Sequence, residues 1–183
     1  MGVLLAGLSA LLYGSADFAG GYASRRASAM SVVVVSQIFG VLTALAAAPF
    51  VGTTEVSPVD LLWGGVAGIG GAVGLIALYR GIAGSVVAIV SPTAALLGAV
   101  FPVLFGLLIG EQPALLAWIG IALCLPAVGL LSFGGRASSD AHRTLASFLF
   151  GAVAGVGFAC FYIAISRPSS GAGLWPLVAA RAV

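Results

Sequence analysis

A bilayer crossing needs about 20 consecutive apolar residues, and the run from Ser85 to Ile109 exceeds that without a single charge. Runs of the same kind flank it, Val59–Tyr79 before and Pro113–Phe133 after. A chain folding in water could not hold three such segments in succession without aggregating, so this stretch commits the protein to a bundle of membrane-spanning helices. The central run also carries Pro92 and Pro102. Each proline removes a backbone donor, which membrane helices tolerate where neighbours or a polar cavity satisfy the freed carbonyl. With Ser91 and Thr93 beside the first proline, a helix break at Pro92 and Pro102 is expected, lining a cavity rather than facing lipid. That arrangement suits a transporter.

The complete pattern is seven apolar segments: Val3–Tyr22, Ser31–Phe50, Val59–Tyr79, Ser85–Ile109, Pro113–Phe133, Leu145–Ile165 and one starting at Leu174. A turn is expected at Gly81–Gly84. The first segment lacks a positive leader and contains Asp17, so it reads as a retained span rather than a signal peptide. Only 7% of residues are charged against 61% hydrophobic, which excludes an ordinary soluble domain. All seven cations are arginines scattered among the segments, leaving no basic patch for a nucleic-acid partner. The 27 glycines suit close helix packing in lipid, and Gly64, Gly68, Gly71 and Gly74 form an expected packing ridge. Cys124 and Cys160 have no metal-ligand spacing and read as small apolar fillers. No cofactor is implied.

An internal echo organises the chain further. Gly7-Leu-Ser-Ala-Leu-Leu-Tyr-Gly-Ser-Ala-Asp-Phe corresponds to Gly151-Ala-Val-Ala-Gly-Val-Gly-Phe-Ala-Cys-Phe-Tyr. The Ser24–Ser28 turn corresponds to Ser166–Ser170, and Gln37 falls opposite Arg181. Five segments separate the copies, and an odd number inverts the second copy through the membrane. The expected fold is therefore all-α, a polytopic transmembrane helix bundle. Residues 1–133 form a first five-helix repeat, 134–144 a polar linker, and 145–183 the sixth helix and part of a seventh. That last segment spans about 15 Å, half a bilayer core. Such a chain reads as truncated, with three further spans expected and roughly 285 residues in all.

Polar residues inside spans are expensive and mark function. Ser9, Tyr13, Asp17, Gly20 and Ser24 share one helical face, opposite a face of Leu, Ala and Phe. Asp17 is the acid placed inside a span, and it reads as a group for substrate or a coupling proton. Gln37 and Arg181 read as equivalent polar groups at the repeat interface, with Asp17 an available acceptor for either. Glu111, just before Pro113, suits the start of the next helix. An enzyme is disfavoured: His142, the lone histidine, lies in a polar loop, no Cys/His/Asp cluster exists, and Gly14-Ser15 is no nucleophile elbow. No catalytic or metal site is expected.

The sequence Ala77-Leu-Tyr-Arg-Gly81, the Ser-Pro span after it, Gly110-Glu111, and Trp118-Ile-Gly-Ile-Ala-Leu123 together resemble the end of an EamA-like repeat of the drug/metabolite transporter superfamily. The resemblance implies aromatic residues of the third, fourth and sixth spans around a central cavity, which nominates Tyr79 and, on the sixth span, Tyr162 or Phe161. It implies a multi-pass secondary transporter of the bacterial inner membrane, moving amino acids or related polar or drug-like compounds by alternating access. The rival class is a non-transporting membrane scaffold, which needs no polar stripe inside its bundle. Partners expected are a small-molecule substrate, lipid, a proton and, as an open alternative, a second copy in a homodimer. Orientation stays open: arginine-bearing loops would place the N-terminus outside, whereas the resembled family keeps it in the cytoplasm.

Overall fold

The computed structural model describes residues 2–115, 118–123, 126 and 141–183. Regular structure among them is helical: α1 (Gly2–Ala23), α2 (Ala29–Ala47, continued by a 3₁₀ turn Ala48–Phe50), α3 (Pro58–Gly84), α4 (Val87–Leu108), α5 (Ala141–Ile165) and α6 (Trp175–Ala182). Among the described residues, four helices are long and apolar enough to cross a membrane, those ending at Phe50, Gly84, Leu108 and Ile165. α1, at 22 residues, has the length of a span and is about as apolar as α3 and α5. α6 has 8 residues. Much of the expected fifth span, Cys124, Arg136, Asp140 and most of the expected linker lie outside the described residues.

Local chemistry fixes the helix ends. Ser57, Pro58 and Asp60 open α3 as a reciprocal capping box: the Asp60 N–H donates to Ser57 Oγ at 3.2 Å, and the Ser57 N–H donates to Asp60 Oδ2 at 2.9 Å. At the far end of α4 the Glu111 N–H donates to the Gly106 carbonyl and the Gly110 N–H to that of Leu107, with Gly110 at φ +87°. This is a Schellman closure, and it needs a residue without Cβ at position 110. Glu111 thus closes the fourth span, in the Gly-Glu-Gln-Pro turn that leads to the next helix.

Two expected breaks are absent. The turn at Gly81–Gly84 does not occur, because α3 runs through to Gly84 and the chain turns at Ser85 and Val86. Gly81 instead serves packing: a Cβ there would come within 2.7 Å of Val90 Cγ1 and 3.0 Å of Phe150 Cβ. Nor do Pro92 and Pro102 break the fourth span, since α4 is continuous through both. Its neighbour holds it along this length. Gly151 of α5 sits against Thr93 and the Val90 carbonyl, and Gly155 against Leu97 and the Ala94 carbonyl. Close backbone packing of this kind offsets the loss of a backbone donor at each proline.

The contacts also set helix direction. Gly20 and Gly21 of α1 meet Tyr79 and Ile82 of α3, so these two helices end at the same level. The Val86 N–H, just beyond α3, donates to Ser147 Oγ near the start of α5 at 3.0 Å. α5 therefore runs opposite to α3 and α1. Gly64 and Gly68 of α3 lie against the Pro176 and Ala180 carbonyls, so α6 runs parallel to α3 and opposite to α2. The helices aligned by the internal echo thus cross in opposite directions. The core is the α3–α4–α5 packing around Ala77, Leu78, Val90, Ala94 and Ala154.

Candidate functional site

A cavity of about 1260 Å³ opens between α1, α2, α3, α4, α5 and α6. Each helix presents a small set of groups to it, and the sequence explains most of them. The stripe on α1 faces inward: Tyr13 and Asp17 line the cavity, while Gly20 makes room for the Tyr79 ring. A Cβ at Gly20 would overlap the Tyr79 hydroxyl and Cζ, so this glycine is what lets the tyrosine reach across α1. Tyr79 is correspondingly buried, at 4% exposure. Farther along, Ser24 is buried, with its hydroxyl donating to the Gly20 carbonyl at 2.8 Å. The opposite face of α1, with Leu4, Leu8 and Leu11, is exposed and lines no part of the cavity.

Arg181 of α6 lines the same cavity and donates from Nη1 to Gln37 Oε1 of α2 at 3.1 Å. Its guanidinium carbon also lies 5.9 Å from the centre of the Phe161 ring. Gly40, one turn after Gln37 on α2, leaves space for the arginine stem, since a Cβ there would sit 3.0 Å from Arg181 Cδ. The two residues that the echo aligns are therefore hydrogen-bonded to each other. Asp17 is not joined to either by a hydrogen bond or ion pair among the described residues, contrary to the expectation that it would accept from them. α6 lies against α3 and α2, whereas α1 meets α3 and α2 but is not among the helices packed on α6.

Ser91 of α4 and Tyr162 of α5 also line the cavity. Tyr162 packs edge-on against Phe161, with ring centres 5.4 Å apart. Gln37 does not itself line the cavity but holds the arginine that does. Of the two prolines, Pro92 is buried in the bundle and Pro102 lies well along α4, and neither forms the wall. The wall is mostly apolar, with Phe39, Phe158 and Phe161 adding ring surface. Sequence reasoning missed Arg25, which lines the cavity near the end of α1, and the clearance roles of Gly20 and Gly40. The pattern at Arg25 carries a signal, a cation one residue beyond the polar stripe.

A second polar cluster was not expected. Asp60 is buried at the start of α3. Besides closing the capping box, it accepts from the Ser169 N–H at 2.8 Å and the Ser169 hydroxyl at 3.2 Å. It thereby ties the α5–α6 connection to α3, which positions Arg181 at the cavity. Among the described residues no group of His, Cys, Asp and Glu could hold a metal ion.

The model of the EamA-like transporter family matches residues 1–133. No curated protein matches the chain, and no solved structure does.

Proposed function

Because the chain belongs to the EamA-like transporter family, and so is a membrane transporter, we propose that it moves small polar metabolites, amino acids and related compounds among them, by alternating access across the cytoplasmic membrane. The observation that carries this reading is the cavity itself. It exceeds the usual range of about 300–1,000 Å³ for small-molecule sites, and it brings an acid from α1 and a guanidinium from α6 into one aromatic space. An ammonium or a proton suits Asp17. A carboxylate suits Arg181, whose fork keeps donors beyond the one given to Gln37. The rings of Phe39, Phe158 and Phe161 suit the apolar body of such a ligand. Gln37 and Gly40 act through Arg181, by orienting its head and clearing its stem.

The test uses the full natural protein in liposomes, with labelled amino acids under a pH gradient and in equilibrium exchange. Arg181→Gln removes a charge-assisted contact of about 1.5–3 kcal/mol, so half-saturation for a carboxylate substrate should rise roughly 10- to 100-fold. Asp17→Asn should abolish gradient-driven accumulation and leave exchange measurable. An unchanged half-saturation in the first variant removes Arg181 from the substrate site. Full gradient-driven accumulation in the second removes proton coupling through Asp17.

A further inference from the structure

A second concavity, of about 410 Å³, lies on the outer flank of the bundle and shares no residue with the first. Its two walls are single helical faces. Val73, Ile76, Ala77 and Arg80 follow the i, i+3, i+4, i+7 spacing on α3, and Ala146, Leu149, Phe150 and Val153 follow it on α5. The helices are antiparallel, so Arg80 and Ala146 stand at the same end and Val73 and Val153 at the other. The Val86–Ser147 hydrogen bond fixes that end as the level where α3 stops. Ala77 is buried and Ala146 half-buried, forming a floor of small residues, while Val73, Leu149 and Val153 stand exposed as its rims. Among the described residues the groove is thus narrow and apolar, and it opens on the flank away from the first cavity.

One polar residue marks its end. Arg80 is exposed and makes no hydrogen bond or ion pair with any described residue. Arg143 lies three residues before Ala146, about one turn farther along the same face of α5. Arginines near span ends carry their heads out to the interface and lay their stems along apolar surface. At that depth the acceptor that matches a guanidinium is a phosphate diester. An apolar ligand alone would leave Arg80 unpaired. A transmembrane helix, about 10 Å across, is too wide for a groove of this volume between adjacent helices, whereas a chain of methylenes fits.

We propose that this groove is a binding site for an anionic glycerophospholipid, with one acyl chain lying along the Ala77–Ala146 floor and its phosphate held by Arg80. From Val73 to Arg80 the groove covers about 10 Å of helix, so it seats the first half of the chain, next to the glycerol. Arg143 lies within reach of the rest of the headgroup. The bound lipid fills the seam between α3 and α5, on the face away from the transport cavity.

Native mass spectrometry on the purified full protein tests this with phosphatidylglycerol and phosphatidylcholine of identical acyl chains. One phosphatidylglycerol should survive release from detergent, and phosphatidylcholine should be lost. Arg80→Gln should reduce the preference about fivefold, and Arg80→Lys should keep part of it. Ala146→Phe fills the floor while leaving Arg80 in place, and should abolish retention of the lipid. Arg26→Gln, on the same side but bonded to Tyr22, should retain it. Equal retention of both lipids by the native protein overturns the proposal, as does unchanged preference in Arg80→Gln. Retention in a well-folded Ala146→Phe protein overturns the groove in favour of a headgroup contact alone. If that variant fails to fold, the Arg80 pair still decides. A cross-link from a cysteine placed at Leu149 to a second copy, in place of bound lipid, also overturns it.

Discussion

α1 and α5 are equated by the internal echo and are built from the same small and apolar residues, yet they sit in opposite circumstances. On α5, Gly151, Gly155 and Gly157 are each pressed against backbone of α3 or α4. On α1, Gly7 and Gly14 have nothing within 4 Å of a built Cβ, and the helix is held at its far end by Tyr79 and Ile82 against Gly20 and Gly21. Small residues therefore do not create packing by themselves. They permit it where a partner surface arrives, and among the described residues the glycines of α5 meet one while Gly7 and Gly14 of α1 do not.

The comparison can be broken most forcefully at Gly157, where a Cβ would come within 2.7 Å of the Gly70 carbonyl and the Gly74 nitrogen. Gly157→Leu should cost about 3 kcal/mol or more through overpacking, while Gly7→Leu on α1 should stay within about 0.5 kcal/mol. Thermal unfolding in detergent reads both, and equal losses would dissolve the contrast between the helices. A smaller effect is expected at Ser147, which is fully buried and accepts the Val86 N–H. Ser147→Ala leaves that donor without its partner, at about 1–3 kcal/mol. Ser15→Ala on α1 removes an exposed hydroxyl bonded back to Leu11 and should be near neutral. The smallest effect sharpens the one place where α1 is gripped. Gly20→Ala and Tyr79→Ala should show a coupling of about 1 kcal/mol in a double-mutant cycle, because shortening the tyrosine removes the overlap that the alanine creates.

Much of this was legible in the sequence because it depends on local repetition. The apolar runs announced helices, the one-face stripe on α1 announced the inward side, and the ridge at Gly64, Gly68, Gly71 and Gly74 announced the α3 seams with α6 and α5. The alignment of Gln37 with Arg181 placed two residues together that are distant in the chain. What stayed hidden depends on partners that no local pattern names. Gly81 looks like a turn until Val90 and Phe150 are seen against it. Pro92 and Pro102 look like a break until α5 is seen alongside α4. Asp60 looks like a surface acid until Ser169, 109 positions later, closes over it.

The contact between Gln37 and Arg181 has one more consequence. When two copies of a motif run in opposite directions across a membrane, a half-turn about a line in the membrane plane carries one onto the other. Equivalent atoms meet on that line alone, so residues 37 and 181 lie beside it. A centre of this sort would look the same from both sides of the membrane if the two residues were identical. Here one is a neutral amide and the other a cation. The likeness of the two copies is therefore lost where they touch: this contact has a charged half, which lines the cavity, and a neutral half, which does not.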